Sequence, residues 1–383
     1  YQSASAIIYI NDTSQGSGLT AQPALIAAND FGVVVEGDQA RFQLSLPQTL
    51  STATATYALA GVNAEDINAS GVTISSGQVM PGVGTLVGSM TLADRNAIIS
   101  IPTVSDQAPE ANGETLTLTL APTAAGMTGS LTASVKIIDP YTGTIAALTT
   151  ADVRSLALNR IATLTTTEVR ALSTSVIAAL GPMQVGAFST GNVSALKTDQ
   201  LQAINRESIK GFETQDLRVL RSDQIGALTS RQFAAFDTAQ LRALSAGNLA
   251  GVNAAQLGVL TYTGIAALDP ESIAGLRGVA LEGLRPEAVP QGLQTSQVAK
   301  ITSSALSSLT PAAFAQFDTT QLAALTAANI AGLTSAQLAQ LTITGIQALE
   351  PADLPGLDVL RLREKVALLS SQQLISLTDK LSL

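Results

Sequence analysis

This chain has no histidine and no cysteine in 383 residues. Without imidazole there is no histidine general base, no Ser-His-Asp triad and no imidazole metal ligand. Without a thiol there are no disulfides, no thiol nucleophile and no thiolate metal site. Tryptophan is also missing, and aromatic residues make up only 3% of the chain. Positive charge is scarce: 20 Lys and Arg stand against 29 Asp and Glu, for a net charge of −9 and a pI of about 4.6. Nucleic acid requires a basic face, so it is not an expected partner, and neither is an anionic lipid surface. There is no run of roughly eighteen apolar residues, so no membrane-spanning helix is expected. Catalysis would be left with a carboxylate-only site, and the chain reads as a non-enzyme.

What the chain has in quantity is Ala, Leu, Thr and Ser, within a hydrophobic fraction of 46% that is ample for a core. From Tyr141 onward these residues fall into an eight-residue repeat. Asp237-Thr238-Ala239-Gln240-Leu241-Arg242-Ala243-Leu244 is a clear copy, and Asp318-Thr319-Thr320-Gln321-Leu322-Ala323-Ala324-Leu325 is its near-twin. The consensus is Thr, Ser or Asp, two free positions, Gln (or Glu, Asp, Asn), an aliphatic, a free position, Ala or Gly, then Leu or Phe. The register holds from Tyr141 to Gly292, takes one extra residue near Leu293, and holds again to Leu357. Four more residues, 358–361, precede two further copies that start at Leu362 and Ser370.

Each octad reads as a helix start. Thr, Ser or Asp followed three residues later by Gln or Glu is a capping box, and the aliphatic residues on either side form a hydrophobic staple. Thr165, Glu168 and Val169, preceded by Leu164, supply all four parts. Only one or two helical turns fit before the next cap, and so short a helix is unstable alone because nucleation costs more than one turn returns. The units must stack, which is the signature of a solenoid. One long helix is the competing reading. It conflicts with apolar spacings of three and five, which drift off a single face, and with Gly181-Pro182, Asp269-Pro270, Arg285-Pro286 and Glu350-Pro351, because Pro suits the first helical position and not the interior. A longer repetition overlies the octads: Thr229 to Leu276 is echoed by Thr310 to Leu357, including Phe233/Phe314, Phe236/Phe317 and Gly264/Gly345.

Residues 31–140 follow a different pattern. Strands are predicted at 33–35, 41–46, 53–59, 97–101, 114–120 and 132–138. Each is short, and Gly, Pro, Asn or Asp follows within a few residues. Short strands at such spacing indicate an antiparallel sandwich. The expected fold class is therefore multidomain, β plus α: an immunoglobulin-like β-sandwich followed by an all-α solenoid of short capped helices at 141–383.

The order of elements in the first half resembles a Calx-β domain. The residues that carry the resemblance are Val35-Glu36-Gly37 closing the opening strand, Ala64-Glu65-Asp66-Ile67, Ile99-Ser100-Ile101 running into Ser105-Asp106, Glu114-Thr115-Leu116, and Ile137-Ile138-Asp139 at the end. Such domains can bind Ca²⁺ at one end through clustered carboxylates. The resemblance thus implies Ca²⁺ at Glu36, Asp66, Asp106, Glu110 and Asp139. The chain departs from the family where Gln107 and Pro140 follow Asp106 and Asp139, positions at which a second Asp is common. Loop caps and turn formers are the other reading of these acids.

Residues 4–12, Ala-Ser-Ala-Ile-Ile-Tyr-Ile-Asn-Asp, echo 132–139. Residues 1–12 accordingly read as the last strand of a preceding domain or as a strand exchanged with a neighbour, and 13–30 as a linker. The chain does not start with Met and shows no signal peptide, so Tyr1 reads as a processed end or the edge of a fragment. Acidic, Cys-free chains rich in Thr, Ser, Ala and Gly are common among bacterial surface proteins. The expectation is an extracellular structural protein that self-associates into a filament, sheath or surface layer. The alternative is an adhesin binding a glycan or host surface, which the scarcity of aromatics in the sandwich loops disfavours.

Overall fold

The computed structural model describes residues 24–46, 53–63, 65–81, 86–105, 114–122 and 129–381. The chain divides between Asp139 and Pro140 into two compact units. The first is a β-sandwich. Its strands are β1 (Ala24–Ala27), β2 (Val33–Val35), β3 (Gln39–Ser45), β4 (Ala53–Ala60), β5 (Thr73–Ile74), β6 (Gly77–Pro81), β7 (Val87–Leu92), β8 (Asn96–Pro102), β9 (Glu114–Pro122) and β10 (Leu131–Ile138). One sheet has the order β1-β3-β8-β5, the other β2-β10-β9-β4-β7-β6. All pairings are antiparallel except that of β2 with β10.

Period-two alternation builds the core. In β3, Ala40, Phe42 and Leu44 point inward opposite Ile101, Ile99 and Ala97 of β8. In the other sheet Leu59 and Tyr57 of β4 lie opposite Leu118 and Leu120 of β9. These residues are almost fully buried and form one cluster. The six strands expected from alternation are all present. Strands β5, β6 and β7 were not expected, because Gly, Ser and Gln dilute their pattern and β7 buries only Met90 and Leu92.

The linker expected at 13–30 is corrected at its described end. Ala24 to Ala27 pair with Ser45 to Phe42 of β3, and Leu25 is buried. The Asn29 side chain extends this pairing: its Nδ2 donates to the Gln39 carbonyl at 2.8 Å, and its Oδ1 accepts the Arg41 amide at 2.6 Å. The chain then crosses to the second sheet through Phe31 and Gly32, at φ of 58° and 69°. A run of five small or aliphatic residues between Pro23 and Asn29 is too short for alternation to register. The exchanged-strand reading of 1–12 and the remainder of the proposed linker lie outside the described residues.

The second unit is a run of short helices, mostly four to six residues long, around a single core that continues from Ile145 to Leu377. The helices begin at the second residue of the octad, with the first residue as N-cap. Thr166–Ala171 follows Thr165, Thr238–Ala243 follows Asp237, and Ser335–Gln340 follows Thr334. Positions five and eight fill the core, as Leu241 and Leu244 or Leu338 and Leu341 do. Among the described residues no helix is long and apolar enough to cross a membrane.

Position seven is small because successive turns of the solenoid approach closely there. A Cβ added to Gly211, Gly251, Gly275, Gly283 or Gly332 would overlap the carbonyl oxygen of Pro182, Ser222, Ala246, Ala254 or Ser303, in each case 29 residues earlier. Where position seven is Gly, as at 251, 275, 283 and 332, the helix stops after four residues. Gly247, inside the helix Ala246–Leu249, has open space around it, with Ser245 Oγ the nearest atom at 3.6 Å. Gly251→Ala is therefore expected to destabilise the protein by about 1–3 kcal/mol through overpacking. Gly247→Ala should stabilise it by up to about 1 kcal/mol through helix propensity. Denaturant titration of both full-length variants checks the pair, and equal effects would contradict the close approach of the turns.

Candidate functional site

The most ordered polar feature of the molecule is a ladder of buried side chains at position four. In Gln200 the amide oxygen accepts the Lys197 N-cap amide at 2.9 Å, and Nε2 donates to the Val169 and Leu172 carbonyls, both at 2.8 Å. Those carbonyls lie 31 and 28 residues earlier, at the C-terminal end of a helix in the preceding turn. Gln232, Gln256 and Gln337 repeat the bonds at the same two separations. Asn192, with a shorter side chain, reaches only the carbonyl 28 residues back, Leu164, at 2.7 Å. Ser208 Oγ donates in the same way to Leu180, also at 2.7 Å. One turn of the solenoid thus lies between three and four octads: helices three octads apart pack on each other, and the amide bonds reach into the octad four before. These side chains are at most 4% exposed, and buried polar groups require such partners.

The ladder explains why Gln is kept at position four even where the capping residue is lost. Lys197, Arg221 and Gln294 make no side-chain cap bond. Even so, Gln200, Gln224 and Gln297 still accept their N-cap amides at 2.8–2.9 Å. Octad spacing marks position four as half of a capping box, and gives no sign of the second bond to the turn before. The extra residue near Leu293 lengthens the separations to 32 and 29 at Gln297, and they return to 31 and 28 by Gln337. The four residues 358–361 shorten the last turn, where Gln373 donates 27 and 24 residues back, to Ile346 and Leu349. Cations stand in for amides near this end: Arg361 donates to the Leu333 carbonyl at 2.8 Å and Lys365 to that of Leu341 at 3.0 Å.

The first turn is built differently. Its position-four residues are Thr144, Asp152, Arg160 and Glu168, with no Gln among them. Asp152 accepts the Thr149 amide and hydroxyl at 2.9 and 2.6 Å, which holds its carboxyl below the usual range. Glu168 accepts the Thr165 amide at 2.8 Å and pairs with Arg160 at 2.6 Å. The Thr165 amide, ahead of the Arg160 guanidinium, lowers the Glu168 pKa to about 2. A polar, charged first turn is what a repeat array needs at a terminal face.

The carboxylates expected at one end of the sandwich sit on loops that the backbone ties together. The Glu36 amide donates to the Ile138 carbonyl at 3.0 Å, next to Asp139. The Val104 amide donates to the Asp66 carbonyl at 2.7 Å, and the Thr103 hydroxyl donates to that of Asp38 at 2.7 Å. Glu36, Asp66 and Asp139 therefore share one end, together with Asp38 and with Glu114, which accepts from Asn63 Nδ2 at 3.4 Å. Asp106 and Glu110 lie outside the described residues. Glu36 is 7% exposed, and the Asp66 carboxylate caps its own loop by accepting the Asn63 amide at 2.6 Å. Among the described residues no three acidic side chains converge closely enough to hold a metal ion. Ca²⁺ takes six to eight oxygens, several of them from carboxylates, and the described residues do not supply that set.

Elsewhere, a shallow groove of about 340 Å³ lies between octads around Lys300, Thr302, Ser303, Thr326 and Asn329. Its one ammonium group, that of Lys300, pairs with Glu271 at 2.8 Å, and no carboxylate lines it.

The repeat is matched by a family model described as the ALTTAQ repeat, over residues 209–241 and 233–270, both within the helical array. A search of curated proteins gives no match. Among solved structures, the chain is similar to the BcpA major pilin subunit of Bacillus cereus, at 10% identity and a TM-score of 0.25, covering 31% of this chain and 41% of the pilin. It is also similar to the bacterial hydrophobin BslA, at 14% identity and a TM-score of 0.22, over 33% of this chain and all of that one. A third is the collagen-binding domain of a Staphylococcus aureus adhesin, at 6% identity and a TM-score of 0.18, over 32% of this chain and 99% of that one.

Two predictions follow from the ladder. Gln256→Leu strands the buried carbonyl of Leu228 and the Asn253 amide, at about 1–3 kcal/mol for each group left without a partner, while the Ile225 carbonyl keeps the Leu228 amide at 3.2 Å. Thr334→Ala removes only a cap, at about 0.5–2 kcal/mol, and leaves the Gln337 bonds in place. Chemical denaturation of the full chain should rank Gln256→Leu as the more damaging; the reverse order would remove the ladder as a determinant of stability. Glu168 carries a pH dependence of the ordinary acidic sign. Its folded pKa is depressed from 4.5 to about 2, so its contribution is present above about 4.5 and lost as pH falls toward 2. Melting curves of Glu168→Gln should lack that acid-side loss.

Proposed function

We propose that this chain is a structural segment of an extracellular bacterial polymer, a filament, sheath or surface layer. The observation that supports this most directly is the ladder. It joins each turn of the array to the turn before through the backbone, in a direction-dependent pattern with donors on one side and acceptors on the other. Such a pattern is spent on continuity along the array and leaves little room for a reaction centre. The last described turn exposes Leu360 at 82% and Ile375 at 68%, apolar surface that a neighbouring copy would cover, and a heterologous contact of this kind extends into a filament when its rotation does not close.

The sandwich adds a second means of joining. Its Calx-β-like order and the apolar strand sequence at 4–10 suit strand exchange with a neighbouring copy, which contributes main-chain hydrogen bonds. The alternative, a surface adhesin, is favoured by one observation: Phe31 is 43% exposed at the tip of the β1–β2 turn, where an aromatic contact to a glycan or host surface could form.

Light scattering and negative-stain microscopy of the full chain are expected to show concentration-dependent, elongated assemblies. Leu360→Gln with Ile375→Gln should shorten them, and so should deletion of residues 1–12. A full chain that stays strictly monomeric at high concentration would overturn the polymer reading. Retention on a glycan or host surface that is lost in Phe31→Ala would favour the adhesin.

A further inference from the structure

One rung of the ladder is an acid. Position four of the octad 213–220 is Asp216, whose side chain is 1% exposed. One carboxyl oxygen, Oδ2, accepts the Glu213 amide at 2.9 Å. The side-chain oxygen of Asn248 accepts the Ser245 amide in the same manner at 2.7 Å, and that of Asn192 accepts the Ser189 amide at 3.2 Å. In both asparagines the other branch is an amide nitrogen that donates to the carbonyl 28 residues earlier, Leu220 or Leu164, whereas Asn329 donates to the one 31 residues earlier, Val298. Asp has the shape of Asn, so Oδ1 of Asp216 takes the place of that nitrogen. The carbonyl 28 residues before it belongs to Phe188. Oδ1 is buried and has no hydrogen-bond partner. An oxygen set against a carbonyl oxygen can bond to it only by carrying a proton.

We propose that Asp216 is a protonation-dependent rung of the solenoid. When neutral, its carboxyl O–H donates to the Phe188 carbonyl and joins the helix Thr214–Val219 to the preceding turn; when the proton passes to solvent, two acceptors face each other and this joint loosens. The surroundings offer the carboxylate no compensating cation. The helix Thr190–Ala195, packed against it on one side, has no ionisable side chain, and neither does Pro182–Gly186 in the same turn. The helix Thr238–Ala243 on the other side carries Arg242, and its cap is Asp237; both are exposed. On its own helix Arg218 is exposed, and the exposed N-cap Glu213 adds negative charge. Burial raises the pKa to about 6, against the lowering effect of the Glu213 amide, and the Glu213 charge adds to the rise.

The sign is opposite to that of Glu168. With a raised folded pKa, the joint is intact below the unfolded value near 4 and loses stability as pH rises toward about 6, with no further loss beyond. A shift of about two units corresponds to a change of roughly a hundredfold in the opening equilibrium.

The test is hydrogen exchange of the full-length protein and of Asp216→Asn between pH 4.5 and 8, each corrected for intrinsic exchange. In the wild type, protection at 185–193 and 213–220 should fall by up to roughly a hundredfold across this range. Asp216→Asn, which donates at every pH, should hold its protection throughout and exceed the wild type at pH 8. Identical pH profiles in the two proteins would overturn the proposal. A readout independent of the variant is the infrared carboxyl band of isotope-labelled Asp in the wild type. One protonated Asp persisting to pH near 6 is expected, and complete ionisation of all Asp by about pH 5 would also overturn it.

Discussion

Nearly every helix in the second unit is too short to satisfy most of its own backbone. An α-helix leaves four amides free at its start and four carbonyls free at its end. In a helix of six residues, such as Thr198–Ala203, that is about two-thirds of the backbone groups. Such a helix can be buried only if something outside it supplies partners. Glutamine at position four does so at both ends at once. Its oxygen takes the N-cap amide of its own helix, and its nitrogen serves the carbonyls of a helix one turn earlier. Only a side-chain amide holds donor and acceptor on one group at that reach. Glu can make the first bond and not the second. Accordingly Glu168 and Asp152 occupy position four in the first turn, where there is no earlier helix to serve.

Much of this array was legible in the sequence, because the cap and the staple are local. Thr165 and Glu168, or Thr334 and Gln337, lie three residues apart, and the spacing alone identifies a helix start. The turn length was not legible. It depends on contacts 28 and 31 residues away, and nothing local distinguishes a glutamine that caps from one that also bridges. Position seven gave a partial signal. Its preference for Ala or Gly was visible, and the close approach of Gly251 to Ser222 supplies the reason. Asp216 passed unnoticed because Asp is acceptable in a capping box, and only burial separates it from Asp152 and Asp353, the half-buried aspartates at the same octad position.

In the sandwich, legibility followed the hydrophobic contrast. Strands β3, β8 and β9 place apolar residues at every second position and were apparent. Strand β1 contributes a single buried Leu25 and depends on Asn29 to complete its pairing, so its segment read as linker. Of the carboxylates named from chain order, Glu36, Asp66 and Asp139 sit on loops joined by backbone bonds, and Asp106 and Glu110 lie outside the described residues. Grouping is a weaker condition than coordination. A metal site needs side chains aimed at one point, and the Asp66 carboxylate is already turned toward its own loop.

Each helix packs on the helix three octads away and bonds through position four to the one four octads away, so a unit can be neither removed nor added without shifting what its neighbours bond to. One added residue near Leu293 is absorbed within about one turn, since Gln297 still finds two carbonyls at separations of 32 and 29. A larger addition must come close to a whole number of turns. The duplicated block meets this condition: Phe233 and Phe314 are 81 residues apart, about three turns. The paired rings Phe233–Phe236 and Phe314–Phe317, with centroids 5.7 and 5.0 Å apart, therefore recur on nearly the same side of the array. Gly264 and Gly345 likewise face Leu241 and Leu322 at the same 3.3 Å from a built Cβ. Duplication in steps of about ten octads is the addition that lets every inserted glutamine arrive opposite carbonyls already placed to receive it.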